Sequence, residues 1–132
     1  MSQIQVKVYF AKPSGQIPPP NNSLELTPVT RHANAAAPAR GALEALLANA
    51  TMQEVAAGFI PLDSSNLSIG ALTIENHHAD VDFYSGGTKS WAGDLSPVIF
   101  KHAVALTLKQ FSTVHSVIVK VDGNANFDSL EG

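Results

Sequence analysis

A chain of 132 residues, 45% hydrophobic and 14% charged, fits one domain and buries about two-thirds of the surface its unfolded form exposes, so it needs neither a metal nor a disulfide to fold. The net charge of -3 and the lack of any Lys/Arg cluster argue against a phosphate-tracking surface, and therefore against nucleic-acid binding. There is no cysteine, which excludes disulfides and thiolate metal sites, and no apolar run reaches the roughly 18 residues that a membrane-spanning helix needs.

No basic n-region and apolar h-region precede Met1–Ile4, so the sequence reads either as cytoplasmic or as a mature piece. The stop at Gly132, just after Glu131, is compatible with a cut. Ile4–Phe10 alternates apolar and polar, the period of a half-buried strand, with Ile4, Val6, Val8 and Phe10 on one face. Lys12–Gly15 stops it, and Pro18–Asn22 is too rich in proline for a helix. Leu24–Arg31 reads as extended, with Pro28 assigning it to an edge.

Pro38 suits the first turn of a helix running to about Asn49, with Ala39, Ala42, Leu43, Leu46 and Leu47 as its apolar stripe. Arg40 and Glu44, four apart, can pair on its wet face. Thr51 and Glu54 form a capping box that opens a short second helix, and Gly58 can close it. Pro61–Asn66 is a loop. Ile69–Glu75 and Ala79–Tyr84 read as strands of a hairpin joined at Asn76–His78. Ser85–Asp94 is a Gly-rich loop holding Trp91. Ser96 as N-cap and Pro97 at the first position open a long helix to about Phe111. Val117, Val119 and Val121 mark a closing strand, ended by the turn Asp122–Asn124. This order predicts an α+β fold, a two-layer sandwich with helices on one face of a mostly antiparallel sheet. No internal repeat or long linker divides it, so residues 1–132 are expected to form one domain.

Several blocks together resemble the GerMN domain of bacterial sporulation and spore-germination proteins and related exported lipoproteins. They are Val6–Phe10, Leu26–Arg31, Ala42–Ala48 with Thr51 and Glu54, Ala79–Phe83, Ala105–Phe111, and Val114, Val117 and Val121–Gly123. The resemblance implies a domain related to the ring-building motifs of secretion-type assemblies. It implies an extracytoplasmic, non-enzymatic role at the cell envelope, with other envelope proteins or a second copy as partners. The sequence shows one copy, without a lipobox cysteine.

The candidate sites are few. His77 and His78 are adjacent on an expected strand end and so point to opposite faces, a poor arrangement for chelation. Asp80 and Asp82 share a strand face, where a solvated face is a simpler reading than catalysis. Asp122–Asn126 begins like a calcium loop, but Phe127 stands where glycine is required. Gly86–Ser90 lacks the spacing of a phosphate loop, and no nucleophile elbow occurs. No catalytic, cofactor-binding or metal residue is therefore assigned, and no cofactor is expected. Trp91 either covers the core or faces a partner, and its large apolar area favours the first. With Tyr84 and Lys89 it is the candidate contact for a partner protein. The alternative function is the binding of a small envelope molecule, such as a cell-wall fragment, around the same loop.

Overall fold

The computed structural model describes residues 2–13, 24–93 and 95–128. The expected proline-rich loop over Pro18–Asn22, the loop end at Asp94 and the last residues from Ser129 lie outside them. Strand alternation at the start of the chain produces β1 (Gln3–Pro13), which pairs antiparallel with β2 (Leu24–Asn34), Gln3 opposite Asn34 and Pro13 opposite Leu24. Val6, Val8 and Phe10 are buried as the pattern predicts, whereas Ile4, near the open end, is 38% exposed. Both strands run further than the sequence pattern suggests, because each extends the other's hydrogen-bonded ladder. Pro28 lies opposite Tyr9. β2 has one neighbour, so the missing N–H can face outward at no cost to the sheet.

α1 (Pro38–Leu47) buries Ala42, Leu43 and Leu46, with Ala39 and Leu47 at the rim of the same core. A Cβ on Gly41 would sit 2.7 Å from the Ala33 Cβ, so α1 crosses β2 where little more than a hydrogen fits. α2 (Met52–Ala56) carries the expected capping box: Glu54 N–H donates to Thr51 Oγ1 at 3.1 Å, and Thr51 N–H donates to the Glu54 carboxylate at 2.9 Å. Gly58 follows with φ +106°.

β3 (Ser68–Glu75) and β4 (His78–Tyr84) form the expected hairpin. Its turn is tighter than the sequence reading: Asn76 and His77 both take positive φ, +53° and +64°, and His78 already pairs with Glu75. Two such residues match the twist of the strands they join. α3 (Ser96–Lys109) has Leu95 rather than Ser96 at its N-cap, with no side-chain cap, because the Ile99 N–H already reaches the Leu95 carbonyl at 2.8 Å. It ends at Lys109, short of Phe111. β5 (Ser116–Val121) then pairs parallel with β4, from Ser116 opposite His78 to Val121 opposite Phe83. A helix between two strands returns the chain to the end where it started, which is the geometry a parallel pairing requires.

The fold is α+β with the sheet layer divided into β1–β2 and β3–β4–β5. α1 packs on β1, β2 and β3, and α3 packs on β1, β5 and α1. Phe10, Leu43, Leu46, Phe83, Phe100 and Leu108 therefore meet in one cluster that draws on both sheets and both long helices. Each such side chain, fully buried, contributes roughly 1.5–3 kcal/mol, more than any exposed ion pair on this surface.

The outer edge of β1 is sealed at two points. The Gln110 side chain mimics a neighbouring strand: Lys7 N–H donates to its Oε1 at 2.8 Å, and its Nε2 donates to the Lys7 carbonyl at 2.6 Å. Further along, Ile60 N–H donates to the Ala11 carbonyl at 2.8 Å.

Candidate functional site

The Gly-rich loop after β4 is held by two carboxylates. Asp122, in the turn after β5, takes φ +50°, with Gly123 at +80°. Its carboxylate accepts hydrogen bonds from Ser85 N–H at 2.7 Å, the Ser85 hydroxyl at 2.5 Å and Gly87 N–H at 3.2 Å. The Ser85 hydroxyl and amide bonds hold the Asp122 pKa below the ordinary carboxylate range. The segment expected as a simple turn thus caps the β4–α3 loop.

Asp63, in the segment between α2 and β3, does the same from the other side. It pairs with Lys89 Nζ at 2.8 Å and accepts from Ala92 N–H at 2.8 Å. Burial pushes the Asp63 pKa up, but the hydrogen bonds from Lys89 and Ala92, with the positive charge of Lys89, together outweigh it and leave the pKa lowered. The Lys89 side chain is only 3% exposed, and its Nζ also lies 4.5 Å from the centre of the Trp91 ring.

Trp91 is half-buried. Its ring stacks on Phe127 at 5.6 Å and tilts against Phe100 at 5.6 Å. Of the three candidate contact residues, then, Trp91 covers the core, Lys89 is tied to Asp63, and Tyr84 is 61% exposed. Lys101, which donates to Asp128 and to the Ala125 carbonyl, fixes the segment carrying Phe127.

The other sequence candidates separate. His77 stacks face to face on His115, ring centres 4.4 Å apart, while His78 Nδ1 lies 2.8 Å from the Ser116 hydroxyl. Asp80 pairs with Lys120 at 3.4 Å, and Asp82 accepts from Gly123 N–H at 2.9 Å. Near α2, Arg31 and Glu54 form a bidentate pair at 2.6 and 2.7 Å. The hydrogen bond from Arg31 is the main cause that holds Glu54 below its usual pKa. Among the described residues no group of three or more His, Cys, Asp or Glu side chains is arranged to hold a metal ion.

A feature the sequence reading missed lies on the opposite side of the molecule. An open groove of about 580 Å³ runs between the start of α1, β3 and the end of α3. Ala37, Pro38, Ala39, Leu72, Ile74 and Phe111 make it apolar, with Arg40, Ser112 and Thr113 also lining it. Leu72 and Ile74 are half-buried, and Ala71, Thr73 and Glu75, which alternate with them, are exposed. The signal was present in the strand alternation of Leu72 and Ile74, but nothing local marks the partner helix ends. Smaller grooves lie over Lys101, His102 and Val117–Val119, and over Thr73, Glu75 and His78; Trp91 lines none of the three.

These elements define a mixed α+β domain with one end braced by carboxylates and one side open as an apolar groove. The family model Germane, described as sporulation and spore germination, matches residues 7–126, and the chain belongs to that family of GerMN domains. Its fold is similar to the tandem GerMN domains of the sporulation protein GerM from Bacillus subtilis, with a TM-score of 0.71 and 18% identity over 99% of this chain. The chain spans 43% of that tandem structure. It is similar as well to the first GerMN domain of the same protein, with a TM-score of 0.63 and 18% identity over 92% of this chain and 84% of that one. A chain from Clostridium perfringens described as a lipoprotein shares the fold at a TM-score of 0.53, with 12% identity over 93% of this chain and 77% of that one. No curated protein matches the chain. Among the described residues no helix is long and apolar enough to cross a membrane.

Proposed function

We propose that this chain is a non-enzymatic interaction domain of the GerMN type, placed outside the cytoplasm at the cell envelope, where it docks protein partners. The observation that carries this reading is the open apolar groove beside β3, lined by Ala37–Ala39, Leu72, Ile74 and Phe111. Apolar walls with a few polar groups beside them match the make-up of a protein–protein contact. The charged side chains point the same way. Asp63, Asp122, Glu54 and Asp80 each hold a loop, a helix start or a neighbouring strand, which is scaffold work. Family membership and the likeness to a chain described as a lipoprotein support the envelope setting. The small-ligand alternative leans on Trp91, whose ring lies against Phe127 and Phe100, so the groove is the better-formed concavity.

The test is crosslinking and capture from an envelope extract with the chain and with Ala39→Arg, which places a long charged side chain in the groove. The reading requires a defined protein, another copy included, that the chain holds and the variant releases. Equal association by both, or none by either, would overturn it.

A further inference from the structure

The sheet edges of this molecule are treated unequally. The β1 edge is closed by Gln110 and Ile60, and β2 carries Pro28. At the far end of β5, Val121 N–H turns back to the Asn124 carbonyl at 3.0 Å. Proteins close edges in such ways because an open row of backbone groups recruits another strand. β3 is one of the two outer strands of its sheet, β5 being the other. Among the described residues no backbone hydrogen bond outside the hairpin reaches it.

The open stretch of β3 has defined ends. The register shifts between Ile69 and Ala71, and the turn begins at Asn76, so Ala71–Glu75 is the segment offered. A two-residue turn makes its flanking pair, Glu75 and His78, the hydrogen-bonded one. Alternation then directs the backbone groups of Glu75, Thr73 and Ala71 to β4. Those of Leu72 and Ile74 face outward. The side chains of these same two residues line the groove, which lies where the inward side chains of a further strand would fall.

We propose that this edge pairs antiparallel with the same strand of a second copy of the chain, about a two-fold axis through Thr73. The proposal rests on the interaction reading above and names its partner. Thr73 is the centre of the offered segment, so the register is self-complementary. Leu72 meets Ile74 of the second copy, exchanges both backbone groups with it and keeps its side chain on the groove side. A slip of one residue would turn the apolar pair to the wrong face. Charge fits the same register: Glu75, the one charged residue of β3, falls opposite Ala71 of the second copy. No like charges meet. Thr73 faces Thr73, a favourable cross-strand pair, and closed two-fold dimers are the commonest symmetric assembly.

The test uses the full chain and its mass in solution as concentration rises. The expected result is a monomer–dimer equilibrium, weakened about tenfold or more by Thr73→Lys, which sets two like charges opposite each other across the axis. Within one copy that lysine faces Asp80, so the fold is retained, as a matching circular dichroism spectrum and urea midpoint will show. Thr73→Cys supplies a second reading in a chain that has no other cysteine. Residues facing each other in a non-hydrogen-bonded pair lie about 4.5 Å apart, within disulfide reach. Mild oxidation is expected to give a covalent dimer there and not with Ala56→Cys on α2. Ala71→Glu weakens the dimer, and adding Glu75→Lys to it restores association. A dimer indifferent to Thr73→Lys, or Thr73→Cys crosslinking no faster than Ala56→Cys, would overturn the proposal. A monomer that still captures an envelope protein through the groove sinks the self-pairing alone, whereas a chain that does neither sinks both readings.

Discussion

The loop end of the molecule and the groove side solve opposite problems. At the loop end, Asp63 and Asp122 gather backbone amides, a hydroxyl and the Lys89 ammonium around a glycine-rich segment that has no ladder of its own. On the groove side, β3 offers unpaired backbone groups and half-buried aliphatic side chains that nothing among the described residues covers. The first arrangement stabilises the fold, and the second leaves surface for something else. Substitution therefore separates them: damage at the loop end is read as lost stability, and damage at the groove side as lost association.

The largest loss of stability is expected from Asp63→Ala. It leaves the Lys89 ammonium, with a side chain 3% exposed, without its counter-charge, and breaking such a pair costs about 3 kcal/mol. Urea unfolding measures it, and Trp91 emission reports whether the loop opens first. Acid sharpens the same contrast. The Asp63 and Asp122 pKa values are lowered in the folded state. Their stabilisation is therefore fully present above the unfolded carboxylate pKa of about 3.9, and it is lost as pH falls through the lower folded values. The urea midpoint should hold steady from neutral pH to about 5 and fall below about 4, with amide exchange rising at Ser85 and Gly87 before it rises at Thr73. Simultaneous opening of both regions would contradict the contrast. The smallest effect is expected from Gln110→Ala, about 1 kcal/mol, because water can replace its bonds to the exposed Lys7 backbone. Its signature is local: exchange of the Lys7 amide accelerates while that of Val8 does not.

Features encoded within a few residues of chain were legible in the sequence. The Thr51–Glu54 capping box, the β3–β4 hairpin, the apolar stripe of α1 and the Arg40–Glu44 pair all appear as expected. Trp91 lies over the core, the side that its apolar area favoured. Contacts between distant segments were not legible. Asp122 meets Ser85 across 37 residues and Lys89 meets Asp63 across 26. No periodicity links an aspartate in a turn to the loop it will cap. The parallel pairing of β4 with β5 was hidden for a related reason: Val117, Val119 and Val121 show that a strand exists and which face is apolar, but not its direction beside a neighbour. The groove was hidden too, since its walls come from α1, β3 and the end of α3.

The Gln110 plug joins residues 103 positions apart, which bears on how the chain emerges from a ribosome. The β1–β2 ribbon is complete once Asn34 is made, yet the side chain that seals its flank is absent until α3 has been synthesised. At about 5–20 residues per second, that interval is several seconds or more. During it the nascent hairpin carries an open flank at Lys7, so the period of greatest exposure to aggregation, and of greatest use for a chaperone, lasts until Gln110 is in place.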